Sequence, residues 1–267
     1  MTQQWATHGV DLLPDSVRKR FRPDANGEPD REWRALTLLD RYAPGLAPRP
    51  LDRADGVLTM SRLPGTHLRG TALTDAHLDA LARAVLRLHH AVPAGAAARL
   101  PARRWDVRES ADAIRARAGA SAAHPAPEVG RALAAGLRWL DGAEAALRED
   151  RTATPVLGQA DGNLANFLWD GTDVRLVDFE DSGRSDHPYE LAEMVEHVST
   201  WVDTDLDAES FLSRFPLSPA EAHRLLACRR LFALLWLVFL TADPATGARN
   251  PPGTGRRQAL RLLALLG

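Results

Sequence analysis

Near the start of the chain, apolar and charged positions alternate. In residues 16–21, Val17, Lys19 and Phe21 share one face, and Arg18 and Arg20 take the other. A period of two predicts a half-buried strand. Residues 10–13 are apolar-rich and end at the turn pair Pro14-Asp15, so a second strand is expected beside the first. The period then changes to that of a helix. Trp33, Leu36, Leu39 and Tyr42 recur at helical spacing, which predicts an amphipathic helix over 31–42 with Asp30 as its cap. Pro44, Pro48 and Pro50 interrupt the chain, and short strands are expected at 51–52 and 57–60 around a turn at Asp55-Gly56.

After Leu63-Pro64-Gly65 the pattern becomes mostly helical. Thr74 is placed to cap a helix through Leu78, Leu81, Val85 and Leu88. Much of 107–149 is Ala- and Arg-rich helix with a break at 125–127, and further helices are expected at 188–202, 219–240 and 255–266. One hairpin stands among them: residues 166–169, a turn at Asp170-Gly171, then 174–179. Segregated strands and helices give an α+β class. The expected division is a small lobe over 1–62 and a larger, mainly helical lobe over 63–267.

Composition narrows the setting. The 267 residues are 45% hydrophobic and 25% charged, enough for an ordinary core. Acidic and basic residues nearly balance, 35 against 33, which argues against a broad nucleic-acid footprint. The single cysteine, Cys228, excludes an internal disulfide and predicts a reducing, cytoplasmic compartment. The first residues show no basic segment followed by an apolar one, and the most apolar run, 231–240, reads as a buried helix, so no membrane is expected.

The chemistry gathers around the hairpin. Asp161 precedes Asn166 by five positions, and Asn166 opens the hairpin that Asp178 closes. The two hairpin positions are therefore expected to meet beside the loop that carries Asp161. Carboxylate and amide oxygens suit Mg²⁺, which takes its remaining ligands from water and phosphates. Phosphoryl transfer also needs a carboxylate that orients or accepts the proton of the attacking hydroxyl, and Asp161 is the candidate.

The run Gln159-Ala160-Asp161-Gly162-Asn163-Leu164-Ala165-Asn166, followed by Val177-Asp178-Phe179-Glu180, resembles the catalytic and metal-binding segments of the aminoglycoside phosphotransferase and choline kinase family. The family pattern is His-Gly-Asp, four residues, Asn, then a later Asp. Here Gln159 stands for the His and Ala160 for the Gly. Met60-Ser61-Arg62-Leu63-Pro64-Gly65 resembles the connector whose backbone pairs with the purine, and Leu86-Arg87-Leu88-His89 the helix ending in Leu-His. The stretch from Gly183 to Ala192 resembles the segment after the metal Asp, with Ser185 and Glu190 as departures. The resemblance covers roughly residues 10–240.

It implies a protein-kinase-like bilobal fold with a shortened antiparallel sheet. It implies Mg²⁺ and ATP or GTP, with Asp161 catalytic and with Asn166 and Asp178 on the metal. Lys19, Glu32 and Ser61 would face the nucleotide; Arg18 and Arg20 flank Lys19, and Glu28 competes with Glu32. Eighteen residues precede Lys19, fewer than two strands and a phosphate-covering loop need. Either that cover is reduced or the chain starts late, and His8-Gly9 would be its remnant. The implied activity phosphorylates a hydroxyl of a small molecule. Aminoglycosides lead, and other antibiotics, sugars and amino alcohols stay open; a cationic acceptor would suit Glu180, Asp181, Glu193 and Glu196. The alternative is a kinase-like protein that binds nucleotide or ligand without turnover. The blander readings are packing or helix-end roles for His89 and His90, core walls for Trp33, Trp105, Trp201 and Trp236, and a solvated loop for Asp203, Asp205, Asp207 and Glu209.

Overall fold

The computed structural model describes residues 8–149 and 153–267. The reading of the first residues as lacking a targeting signal falls on 1–7 and lies outside them. The chain divides into two compact units, each built from two pieces of sequence. The first is Met1–Arg103 with Pro155–Arg184, and the second is Arg104–Thr154 with Ser185–Gly267. The expected lobe boundary at 62/63 falls inside the first unit.

The first unit opens with strands β1 (Gly9–Leu12) and β2 (Ser16–Arg20), then helix α1 (Glu28–Tyr42) and strands β3 (Pro50–Ala54) and β4 (Val57–Ser61). The four strands form one antiparallel sheet in the order β1-β2-β4-β3. Alternation along β2 places Lys19 inward between Val10 and Leu58 on its neighbours, while Arg18 and Arg20 stay exposed. Helix α1 begins earlier than the expected residue 31. Gly27 takes the cap position at φ 72°, and Pro29 sits in the first turn. A proline there costs nothing, because first-turn N–H groups have no helical partner. Asp30, expected as the cap, lies inside the helix and pairs with Arg53 at 2.5 Å. Leu36 and Leu39 are buried, as are Leu58 and Met60 of β4. Each such leucine contributes about 1.5–3 kcal/mol.

Next come β5 (Thr66–His67), α2 (Asp75–Ala91) and the short α3 (Ala94–Ala97), and later β6 (Pro155–Gly158), β7 (Phe167–Trp169) and β8 (Val174–Leu176). Strands β5, β7 and β8 make a three-stranded sheet in that order. Thr74 caps α2 as expected, its N–H donating to His77 Nδ1 at 3.1 Å. Gly65 turns the chain into β5 at φ 120°, and a Cβ there would stand 2.7 Å from the Trp169 carbonyl oxygen. Gly65→Ala is therefore expected to cost about 1–3 kcal/mol, read as a lower denaturant midpoint at unchanged slope.

The hairpin is shorter than its sequence suggests. Asn166 ends a 3-10 turn (Leu164–Asn166), and β8 stops at Leu176. The second strand cannot reach Asp178, because that residue adopts φ 68°, outside the strand region. The Val177 N–H still donates to the Asn166 carbonyl at 3.0 Å, which keeps the two ends together.

Strand β9 (Gly183–Asp186) pairs with β6 and leads into the second unit. That unit is helical: α4 (Val107–Ala122), α5 (Pro127–Glu149), α6 (His187–Glu196), α7 (Val198–Val202), α8 (Ala208–Leu212), α9 (Pro219–Ala242), α10 (Pro244–Ala248) and α11 (Thr254–Leu266). The single helix expected over 188–202 is two helices. His197 leaves the helical region at ψ 133°, and its side chain caps α7. Asp186 caps α6 and holds Arg224 of α9. By length and composition α9 would reach across a membrane, yet Leu231, Phe232, Leu234 and Leu235 are buried where it packs on α4, α5, α6 and α11. Asp203, Asp205, Asp207 and Glu209 are exposed, and Asp207 caps α8.

Candidate active site

The polar heart of the first unit is Lys19. Buried in the middle of β2, its Nζ lies 2.7 Å from Glu32 Oε2, 2.7 Å from Asp178 Oδ1 and 2.5 Å from Glu180 Oε2. Helix α1 supplies Glu32 from its buried face, next to the core residues Ala35 and Leu36. Between the two candidates for this ion pair, the structure selects Glu32; Glu28 faces His8 instead, at 2.9 Å. One ammonium thus serves three carboxylates. Burial alone would lower the Lys19 pKa, but Asp178, Glu32 and Glu180 outweigh it and hold the ammonium well above its ordinary value. Burial raises Glu32 against the pull of Lys19. Burial and the neighbouring Asp178 charge push Glu180 up to about 8. Asp178 goes the other way. Burial would raise it, but Lys19 holds it below the usual carboxylate range. The cluster gathers three carboxyl groups around one ammonium, and the raised Glu180 and Glu32 show how poorly that single charge supports them; a divalent cation would supply the charge they lack.

The loop after β6 brings Asp161 to the same cleft. Asp161 Oδ1 accepts the Asn163 N–H at 2.9 Å, and Oδ2 accepts the Asn166 side-chain amide at 2.7 Å. Since Asn166 donates through Nδ2, its amide oxygen is turned away from Asp161. Burial, with help from the Asp178 charge, pushes the Asp161 carboxyl up to about 7, against the two donors. Ala160, just before it, adopts φ 69°, and Asp178 φ 68°. Two residues with side chains in the left-handed region, Ala160 next to one carboxylate and Asp178 carrying the other, hold strain that only a well-determined surrounding sustains.

Part of that surrounding is Gln159. It is buried, and its Nε2 donates to the Val177 carbonyl at 2.7 Å and lies 3.4 Å from that of Asp178. The position where the family pattern has histidine therefore keeps a donor to the backbone around Asp178, here through an amide that does not titrate. That a glutamine here can bond to backbone follows from its chemistry; that its acceptor is the Val177 carbonyl, 18 residues on, was not legible in the sequence.

A cleft of about 550 Å³ joins these groups, a size within the range of small-molecule sites. Lys19, Glu32, Asp161, Asn166, Asp178 and Glu180 line one part of it, and Val10, Val17, Met60, Leu63, Leu168 and Val177 contribute apolar wall. His8 lines it too. Ser61 lies on the cleft, but its hydroxyl accepts the Arg49 N–H and its own N–H donates to the Arg49 carbonyl, both at 2.9 Å. The Arg62 N–H is taken by the Asp15 carbonyl at 3.1 Å. Among the described residues, the Leu63 N–H has no acceptor, and Leu63 lies in the 60–65 connector whose backbone the resemblance sets against the purine. From sequence, Glu180 is expected only as a charge near the cleft. Its place two residues after Asp178 was the available signal.

The model of the phosphotransferase enzyme family matches residues 7–225. No curated protein sequence matches the chain. Among solved structures, a choline/ethanolamine kinase family protein from Mesorhizobium loti is similar at TM-score 0.69 and 19% identity, over 96% of this chain and 84% of that one. Choline kinase LicA from Streptococcus pneumoniae follows at 0.62 and 16%, over 96% and 88%. The aminoglycoside phosphotransferase APH(3'')-Id from Streptomyces rimosus, in complex with ADP and streptomycin, gives 0.59 and 20%, over 88% and 94%. At these identities the likeness shows the fold, which is kinase-like, with a small antiparallel sheet and a larger helical part.

Proposed function

We infer that this chain, which belongs to the phosphotransferase enzyme family, moves the γ-phosphoryl group of ATP or GTP to a hydroxyl of a small molecule. The observation that carries this reading is the convergence of Asp161, Asn166, Asp178 and the Lys19–Glu32 pair on one cleft. Asn166 and Asp178, which line one cleft, would hold Mg²⁺; Glu180 would stand beside Asp178, the two presenting oxygens within 4.8 Å of one another. Bound there, the metal would neutralise phosphate oxygens as charge shifts between them.

The chain's own groups would do the rest. Lys19, held in direction by Glu32, would align the phosphates. The Ser61 carbonyl and the Leu63 N–H would pair with the purine edge, so Ser61 would act through its backbone. Asp161 would orient the acceptor hydroxyl and take its proton. Its oxygens already accept two N–H bonds, which fixes the carboxylate and leaves lone pairs for a third partner. A pKa near neutrality suits a general base.

Aminoglycosides and choline-like amino alcohols are the acceptors to try first, given the names of the similar structures. The test is a panel of such acceptors with Mg²⁺ and ATP or GTP, followed by phosphate incorporation into the acceptor. Transfer to at least one acceptor, dependent on Mg²⁺, is expected. Binding without turnover is the competing reading, favoured by Gln159 and by the few residues before Lys19; the bonds Gln159 makes to the backbone around Asp178 weigh against the first of these.

A further inference from the structure

Residues 178–182 carry Asp178 and Glu180, yet they belong to no strand. Strand β8 has ended at Leu176 and β9 begins at Gly183. Backbone groups without a ladder need other partners. Gln159 serves the front of the segment, as described above. Its rear is served by two adjacent residues of α1. Glu32 Oε1 faces the Phe179 N–H at 3.5 Å. Arg31 Nε donates to the Glu180 carbonyl at 2.6 Å, and the Arg31 carbonyl accepts the Ser182 hydroxyl at 3.4 Å.

The Arg31 side chain is itself held. Its Nη1 donates to the Asn26 carbonyl at 2.9 Å, its Nη2 lies 3.8 Å from Asp181 Oδ1, and it is only 14% exposed. A guanidinium fixed at both edges is a rigid donor at its Nε. The helix that carries Glu32 therefore also grips the chain that carries Asp178, one residue earlier.

We propose that Arg31 is a positioning residue: through the Glu180 carbonyl it anchors residues 178–182 to α1 and so sets where the Asp178 carboxylate meets a metal-bound nucleotide. This role rests on the phosphotransfer reading. It makes α1 a single lever for both ends of the site, because Lys19 takes its direction from Glu32 and Asp178 takes its position from Arg31.

Two variants separate the hydrogen bond from the bulk of the side chain. Arg31→Gln places an amide donor where Nε stood. Arg31→Met fills the same space without a donor. Removing a partner of this kind costs about 10–100-fold in activity or metal affinity. Arg31→Met is expected to lower kcat within that range and to raise the Mg²⁺ concentration for half-activation, with the acceptor KM unchanged. The rise in Tm on adding Mg²⁺ with ADP or GDP is expected to shrink in parallel. Arg31→Gln is expected to recover most of each loss. The role is overturned if both variants match the wild type, if both are equally impaired, or if Tm falls while kcat and Mg²⁺ activation hold. A wild type inactive on every acceptor sinks the phosphotransfer reading alone. The Mg²⁺–nucleotide Tm rise, compared across the three proteins, then still decides the part played by Arg31.

Discussion

Asp161→Asn is expected to lose turnover by about 10²–10⁴-fold, the usual contribution of a general base, while making the folded protein more stable at pH 8. Both effects come from one property of the site. The Asp161 carboxyl is held at about 7, raised from 3.8, mainly by burial and then by the Asp178 charge. A carboxyl with a raised folded pKa binds its proton more tightly when folded than when unfolded. Below about pH 4 both states are protonated, and the residue is neutral toward folding. Between there and pH 7 the unfolded chain ionises first, so stability falls as pH rises. Above about pH 7 the whole penalty is in place. Asparagine carries no charge to bury, and Asn166 can rotate its amide to present oxygen instead of nitrogen. The Tm advantage of the variant, measured without metal, should thus grow from nothing near pH 4 to a plateau above pH 7. A variant with the wild-type pH profile would mean that Asp161 ionises freely in the fold.

Lys19→Met should have the largest effect on stability. The substitution leaves Glu32, Asp178 and Glu180 together with their cation gone, all three within 2.7 Å of where it stood. Breaking a buried pair from one side costs about 3–5 kcal/mol, because the remaining charges stay desolvated. Turnover should fall as well, since the phosphates lose their aligned cation. The double variant Lys19→Met/Glu32→Gln is expected to be more stable than Lys19→Met, because the fully buried carboxylate no longer lacks a counter-charge. Activity should not return with stability. Equal stability of the single and double variants would show that Glu32 takes no charge from Lys19.

The two carboxylates and the amide of the site could be found by sequence because they are close in the chain and the hairpin between them has a clear turn. Alternation along β2 put Lys19 on the face of Val17 and Phe21, and the helical spacing of Leu36 and Leu39 put Glu32 on the helix that follows; their pairing was implied by the resemblance, with Arg18, Arg20 and Glu28 as competitors. Other features had no local signal. Nothing in Val177-Asp178-Phe179 announces a left-handed residue, so the sequence pattern continues past Leu176, where the strand itself ends. Pro29 reads as a loop residue, although a first helical turn accepts it, and α1 begins at Glu28, ahead of the expected residue 31. The break at His197 depends on a side chain capping its own backbone in the middle of an apolar run. Gln159 and Arg31 act on backbone carbonyls 18 and 149 residues away, and such contacts exist only once the chain is folded.

The central claim is that Asp178, kept below the usual carboxylate range by Lys19, joins Asn166 in a metal-dependent nucleotide site. Calorimetric titration of ADP and GDP, with and without Mg²⁺, into wild type and Asp178→Asn tests it most directly. The account predicts Mg²⁺-dependent binding by the wild type of at least one nucleotide, weakened about 10–100-fold in the variant. Identical affinities in the two proteins, or binding indifferent to Mg²⁺, would contradict it.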